Sequence, residues 1–209
     1  MELIGRDRRA AGRHSRLGWA VCHCRAGAAG FLMQLRGTPL AGLYEIDATP
    51  QSDARGSFAR LHCPDAFAEA GIAGFDPLQT SLSRNVRAGT LRGLHWQNPP
   101  YAESKLVRCV RGAIWDVAVD LRHGSPTYLH WHGVVLDATA LNAFFVPEGF
   151  AHGFITLTDD ADVMYQIGRM FTPGKGQGAR WNDPAFGIKW PITPKVLSER
   201  DATYPDFAD

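Results

Sequence analysis

The sequence lacks the features that mark membrane proteins and nucleic-acid-binding proteins. Its 209 residues carry a formal net charge of only +1. A charge this balanced gives no electrostatic basis for nucleic acid as the main partner. No apolar run approaches the roughly 20 residues that a membrane-spanning helix needs. We therefore predict a protein with no membrane partner and no nucleic-acid partner.

Cysteine is also scarce, and the four cysteines form no recognisable framework. Cys22 and Cys24 flank His23, but this spacing matches no zinc pattern and no second Cys/His pair completes it. Cys63 and Cys109 stand alone. No stretch of the sequence has the pattern of a secretory signal, so we expect reduced thiols in a cytoplasmic protein.

The first 32 residues differ in composition from the rest of the chain. They contain six arginines but only two acidic residues, and they match no packed-domain pattern. An organelle transit peptide is an alternative for such an arginine-rich start. We predict that residues 1–32 are a disordered or mis-assigned leader and that residues 33–209 form one domain.

Turn-forming residues are abundant and separate many short extended segments. The chain contains 22 glycines and 13 prolines, and apolar and other residues alternate in GAIWDVAVDL, residues 112–121. Short strands recurring about every ten residues predict an all-β fold, an antiparallel sandwich or jelly roll. We predict a short helix over 65–71, a turn or bulge at Arg111-Gly112, and loops with short helices wrapping the barrel over 172–209.

Several ionisable and aromatic side chains lie in or beside these strands. A strand barrel can bring such distant positions into one cavity, because inward-facing residues recur at every second position. An imidazole, a cation and a phenol suit proton transfer beside a carbonyl, and a carboxylate can fix the imidazole tautomer. Spacing alone leaves open whether these side chains meet. The candidates are Arg92, His95, Lys105, His152, Tyr165 and Asp201.

A metal site is the main alternative for the histidines. The residue two positions after His95 is Gln97, a poor ligand. His95, Glu103 and His152 alone would make a weak ligand set for a metal ion. We therefore predict a site without metal and a protein without cofactor.

Structural roles remain open for several candidates. His130 and His132 are two residues apart, which places both side chains on the same face of a strand. No carboxylate follows them closely, so we expect this face to be exposed. Lys105 and Arg108 fit a solvated strand edge, and Tyr165 fits ordinary core filling. A carboxylate such as Asp201 in a polar C-terminal segment usually caps a helix or faces solvent.

Eight segments of the chain, in sequence order, are DARGSF (53–58), TLRGLHWQ (90–97), ESKLVRCVRGAIWDVAVDLR (103–122), SPTY (125–128), VPEGFAHGF (146–154), MYQ (164–166), WNDP (181–184) and LSERD (197–201). Together they closely resemble the dTDP-4-dehydrorhamnose 3,5-epimerase family. The resemblance runs from about Met33 to the C-terminus. It implies a cupin-type antiparallel jelly roll with short peripheral helices, usually a homodimer, that needs no metal. It also implies epimerisation of the two carbons flanking the ketone of a 4-keto-6-deoxyhexose carried on dTDP.

The resemblance implies a role for each matching catalytic position. His95 would be the general base and Asp201 its dyad partner. Lys105 would lie near the keto oxygen and stabilise the enolate. Tyr165 would be the acid on the other face of the sugar.

The resemblance also implies substrate-binding residues. His152 would contact the substrate, and Arg55 and Arg92 would bind the phosphates of the nucleotide. Gln79 would occupy a nucleotide-site position.

The chain departs from the family pattern near the proposed nucleotide site. Phe171 replaces a frequent tyrosine, Ser81 replaces an asparagine, and Gly174 and Lys175 stand where acidic residues are common. These changes leave open the sugar, the nucleotide base and the number of carbons inverted. The alternatives are a mono-epimerase or ketoisomerase on another nucleotide-linked 4-keto sugar, and a non-catalytic cupin that binds a sugar nucleotide.

Overall fold

The computed structural model describes residues 3–4, 19–23 and 32–208. Within these residues almost all regular structure is strand, and the only helices are α1 (Pro64–Glu69) and α2 (Glu199–Thr203). The strands are β1 (Leu3–Ile4), β2 (Trp19–His23), β3 (Leu32–Gly37), β4 (Tyr44–Ala48), β5 (Gln51–Asp53), β6 (Gly56–Phe58), β7 (Gln79–Asn85), β8 (Leu91–Gln97), β9 (Lys105–Arg111), β10 (Ala113–Asp120), β11 (Trp131–Asp137), β12 (Ala143–Val146), β13 (Phe150–Thr156), β14 (Ala161–Ile167) and β15 (Gly176–Gly178).

The strands form two large sheets and one small hairpin. The six-stranded sheet has the order β1-β11-β10-β13-β8-β15, and the seven-stranded sheet has the order β2-β3-β4-β12-β9-β14-β7. Strands β5 and β6 pair only with each other. Pairing within the sheets is antiparallel, and most neighbours in space are distant in sequence, as in a jelly roll. The predicted all-β antiparallel jelly roll with short peripheral helices is confirmed.

Strand β10 shows how the two-residue alternation builds the core. All eight of its residues are buried. Ile114 and Ala118 pack between the two sheets. Trp115 lies on the opposite face, where it packs against the C-terminal segment, with its ring 5.1 Å from that of Trp190. The C-terminal segment therefore wraps the outer face of the six-stranded sheet, as expected, although β15 within it was not predicted.

The local predictions near Gly71 and Gly112 agree with the structure. Helix α1 lies within the segment predicted to be helical except for its first residue, Pro64, and Gly71 follows with a φ of 85°. Gly112 has a φ of 72° and joins β9 to β10, and a Cβ atom there would collide with Thr158. Neither α1 nor α2 has the length and apolar character that a helix needs to cross a membrane.

Two expectations from the sequence, for His132 and Cys63, and the alternative of a solvated strand edge for Arg108 are wrong. His132 is fully buried, because it faces the space between the sheets and its Nε2 lies 2.8 Å from Oε1 of Glu45 on β4. Arg108 is also buried, where it donates hydrogen bonds to backbone carbonyls such as that of Leu61, and burial lowers its pKa to about 10. Cys63 is disulfide-bonded, so the expectation of reduced thiols fails for this residue.

The arginine-rich leader lies mostly outside the described residues. The parts that are described form β1, β2 and the first residue of β3, and β2 pairs with β3. The boundary between a leader and a domain at residue 33 remains a prediction.

Candidate functional site

A cavity of about 750 Å³ is lined by residues of both large sheets. This volume lies within the range of about 300–1,000 Å³ that is typical of small-molecule sites. The six-stranded sheet contributes Arg92, His95 and His152, and the seven-stranded sheet contributes Lys105 and Tyr165. The structure therefore brings together five candidates that the sequence places on four different strands.

The strand register explains why these side chains share one cavity. His95 on β8 and His152 on β13 are directly opposite each other, so their side chains leave the same face of the sheet. On the other sheet, Lys105 lies opposite Ile167 of β14. Tyr165 precedes Ile167 by two residues and therefore points to the same face.

His95 is held by a buried carboxylate. Its Nε2 lies 2.7 Å from Oδ1 of Asp201, and Oδ2 of Asp201 accepts the backbone N–H of Gly93 at 3.3 Å. Ser198 caps α2 by accepting the backbone N–H of Asp201 at 3.0 Å, which fixes the position of the carboxylate. Although burial acts to raise it, the pKa of Asp201 is lowered, because the hydrogen bonds from His95 and Gly93 outweigh the burial.

The His95–Asp201 pair has the geometry of an oriented general base. An ionised Asp201 accepts a hydrogen from Nε2, which places that hydrogen on Nε2 and the lone pair on Nδ1. The imidazole side chain is 40% exposed, while the Asp201 side chain is 7% exposed. One end of the dyad is therefore accessible and the other is enclosed.

A second histidine–carboxylate pair lies deeper in the protein. Nε2 of His152 lies 2.7 Å from Oδ1 of Asp116, and both residues are buried. Burial raises the pKa of Asp116 even though His152 opposes this effect. Asp116 was not predicted as a site residue, although a single carboxylate in the middle of a buried apolar strand was a signal that could have revealed it.

Tyr165 approaches the cavity from the sheet opposite His95. Its ring lies nearly perpendicular to that of His152, with the ring centroids 5.9 Å apart. Burial, together with the negative charge of Asp116, raises the pKa of the phenol well above 10. Tyr165 is therefore protonated at neutral pH and has a proton to donate.

Lys105 is buried and paired, so the alternative of a solvated strand edge is wrong. Only 8% of the residue is exposed, and its Nζ lies 3.0 Å from Oε1 of Glu103. Oε2 of Glu103 accepts a hydrogen bond from Nε2 of Gln97 at 2.8 Å. Glu103, considered from the sequence only as a weak metal ligand, is instead the ion-pair partner of the lysine.

Besides His152, two further predicted binding residues lie at or beside the cavity. Arg92 lines it, is exposed, and donates from Nε to Oδ1 of the buried Asn85 at 2.8 Å. Gln79 supports the wall, because its Oε1 accepts the backbone N–H of Phe171 at 3.0 Å. Phe171 itself lines the cavity and is 66% exposed.

The positions of Arg55 and Arg200 relative to the cavity were not predicted from the sequence. Arg55 lies on the β5–β6 hairpin, where its side chain is 90% exposed, and it pairs with Asp53 rather than lining the cavity. Its role in substrate binding stays a prediction. Arg200, which was not predicted as a site residue, lines the cavity from α2. Only the docking of this short helix, which no local pattern indicates, places Arg200 there.

The described histidines and carboxylates do not group as metal ligands. In the part of the chain that the structure describes, no three His, Cys, Asp or Glu side chains are arranged to hold a metal ion. In both cavity histidines Nε2 lies against a carboxylate. A metal-free reaction remains a prediction.

Comparison with known proteins identifies the family. The model of the dTDP-4-dehydrorhamnose 3,5-epimerase family matches residues 37–209. The chain belongs to this family. The match covers the two large sheets except β1, β2 and all of β3 but its last residue, Gly37. It includes every candidate site residue of this epimerase family member.

Individual relatives of the epimerase family agree with this assignment. The dTDP-4-dehydrorhamnose 3,5-epimerase of Sinorhizobium fredii is 42% identical over 158 residues, which are 75% of this chain and 80% of the relative. The dTDP-4-dehydrorhamnose 3-epimerase of Streptomyces niveus is 40% identical over 169 residues, 81% of each protein. The crystal structure of the 3,5-epimerase of Bacillus anthracis, with TDP and PPi bound, has a TM-score of 0.80 and 35% identity. That likeness covers 84% of this chain and 99% of the other.

Proposed function

We propose that the protein is an isomerase that epimerises a dTDP-4-keto-6-deoxyhexose at the two carbons flanking the ketone. The observation that supports this most is the placement of an oriented imidazole and a protonated phenol on opposite sheets around one cavity. Inversion of a carbon needs a base on one face and an acid on the other. The arrangement supplies both.

The first step is removal of a proton from a carbon next to the ketone. Nδ1 of His95 accepts this proton, and Asp201 stabilises the imidazolium that forms. The electron pair of the broken C–H bond moves onto the ketone oxygen and gives an enolate. The ammonium of Lys105 stabilises that negative charge in a site where little water competes.

The second step returns a proton from the opposite face. Tyr165 donates its phenolic hydrogen to the carbon, which regenerates the ketone with inverted configuration. The phenolate that remains is costly in this partly buried position, because burial and the charge of Asp116 raise the pKa of Tyr165. It therefore regains a proton while His95 releases one, so each cycle is balanced in protons.

The substrate class is supported by the cations at the cavity. Arg92, Lys105 and Arg200 line it, and a nucleotide diphosphate carries the negative charge that such cations attract. His152 would contact the sugar. A nucleotide-sugar substrate also supports the proposed cytoplasmic location.

A homodimer is part of the proposal. Strand β7 is an edge of the seven-stranded sheet, and an unpaired edge can be covered by a second copy of the chain. Leu78, Leu82 and Val86 lie at or next to this edge and are 57%, 50% and 73% exposed. Burial of these side chains would stabilise such a dimer.

Incubation with dTDP-4-keto-6-deoxyglucose in heavy water tests the proposed reaction. We expect deuterium at both carbons next to the ketone in the product, because each proton removed is replaced by one that exchanges with solvent. NMR spectroscopy and mass spectrometry of the product locate and count the label. The same incubation without protein corrects for spontaneous exchange.

The alternatives give different labelling patterns. Deuterium at one carbon only would support a mono-epimerase, an alternative that the identity to the 3-epimerase of Streptomyces niveus and the presence of Phe171 keep open. Binding of the sugar nucleotide without any deuterium exchange would contradict catalysis and support a non-catalytic binding protein.

A further inference from the structure

The ammonium of Lys105 is enclosed near two carboxylates. The side chain is 10% exposed, and that of Glu103 is 13% exposed. Asp116 also attracts the lysine electrostatically, but its carboxylate is hydrogen-bonded to His152. Glu103 is therefore the carboxylate in direct contact with Nζ, at 3.0 Å.

The segment that carries Glu103 is anchored on both sides. The carbonyl oxygen of Ala102 accepts a hydrogen bond from Nε of Arg169 at 2.8 Å. The carbonyl oxygen of Ser104 accepts the backbone N–H of Gly168 at 3.0 Å. Together with the hydrogen bond from Gln97, these contacts hold the carboxylate in one place relative to the cavity.

We propose that Glu103 is a positioning residue that holds the Lys105 ammonium at the place where the enolate oxygen forms. This inference rests on the proposed function, because it assumes that Lys105 stabilises the enolate. The lysine stem is flexible and would occupy several rotamers if its charge had no partner. The contact with Glu103 uses one of the three N–H groups and leaves two for the substrate oxygen.

If Glu103 positions Lys105, removing its charge should lower the turnover rate and leave the substrate affinity nearly unchanged. A cation placed in advance lowers the barrier because nothing needs to reorganise as the negative charge develops. Glu103 acts through Lys105, so its contribution should vanish when the ammonium is absent. A purely structural ion pair would instead lower the melting temperature and leave kcat of the folded enzyme unchanged.

The test is a double-mutant cycle on the full chain with dTDP-4-keto-6-deoxyglucose. E103Q keeps the size of the side chain and an acceptor for Lys105 but removes the charge. We expect E103Q to lower kcat about tenfold, with KM within about twofold, since a charged partner is replaced by a neutral one. In a K105Q background we expect the same change to alter kcat by less than about twofold. E69Q, the same exchange at an exposed position of α1, is the matched control and should match the wild-type protein.

Each outcome decides the matter. Unchanged kcat in E103Q would overturn the proposal, and so would a tenfold loss that persists in the K105Q background, because Glu103 would then act independently of the lysine. If E103Q does not fold by circular dichroism, E103D keeps the charge but shortens the side chain, and we expect the same dependence on Lys105. A wild-type protein without turnover would contradict the proposed function itself, and this assignment with it.

Discussion

Replacement of His95 by alanine is expected to lower kcat by about 10²- to 10⁴-fold, the usual contribution of a general base. The imidazole is the proposed base, and Asp201 orients it with a hydrogen bond of 2.7 Å on Nε2. The other imidazole of the cavity, His152, also has a carboxylate partner, Asp116, but it is only 4% exposed and is therefore less accessible to a carbon-bound proton. Steady-state kinetics with dTDP-4-keto-6-deoxyglucose measures the loss, and deuterium incorporation should fall with it.

His130 provides a control for this substitution. It lies outside the cavity, so H130A removes an imidazole without touching the proposed site, and it should keep the wild-type kcat. A folded H95A protein with near-wild-type turnover would show that another group is the base. Circular dichroism of both variants confirms that the fold is intact.

Replacement of Tyr165 by phenylalanine is expected to separate proton exchange from inversion. Phenylalanine keeps the ring that packs beside His152 but removes the proton donor. Inversion should slow by about 10²-fold or more, because the proposed acid on the opposite face is lost. His95 can still remove the proton, exchange it with solvent and return it to the same face, since the imidazole side chain is 40% exposed.

The product of Y165F in heavy water therefore distinguishes two roles for the phenol. We expect recovered substrate that carries deuterium with its original configuration, seen by NMR spectroscopy. Inversion at the wild-type rate would mean that Tyr165 is not the acid. If Y165F shows neither deuterium exchange nor inversion, the phenol is required for proton removal itself.

The residues that the sequence could place are those whose position follows from strand periodicity or from a family motif. Alternation in β14 places Tyr165 on one face, and the family resemblance connects His95 to Asp201 across 106 positions of the chain. Spacing alone could not make that second connection, because it depends on how α2 docks against β8. The alternation in GAIWDVAVDL likewise predicted two distinct faces of β10, which pack on two different sides.

The residues that the sequence could not place depend on contacts between elements. His132 was expected on an exposed face, yet it is buried against Glu45 of β4, a pairing across the two sheets. Glu103 and Arg200 lie in segments without regular strand periodicity, so only tertiary packing shows that they reach the cavity. Asp116 was visible as a polar residue in an apolar strand, but its histidine partner lies on the neighbouring strand.

The central claim is geometric, and a crystal structure of the protein with a dTDP-linked 4-keto-6-deoxy sugar tests it most directly. We predict Nδ1 of His95 and the hydroxyl oxygen of Tyr165 on opposite faces of the hexose ring, each within about 3.5 Å of a carbon next to the ketone. We also predict Nζ of Lys105 at the ketone oxygen. A sugar with both side chains on the same face, or with the Tyr165 hydroxyl pointing away from the ring, would contradict the account.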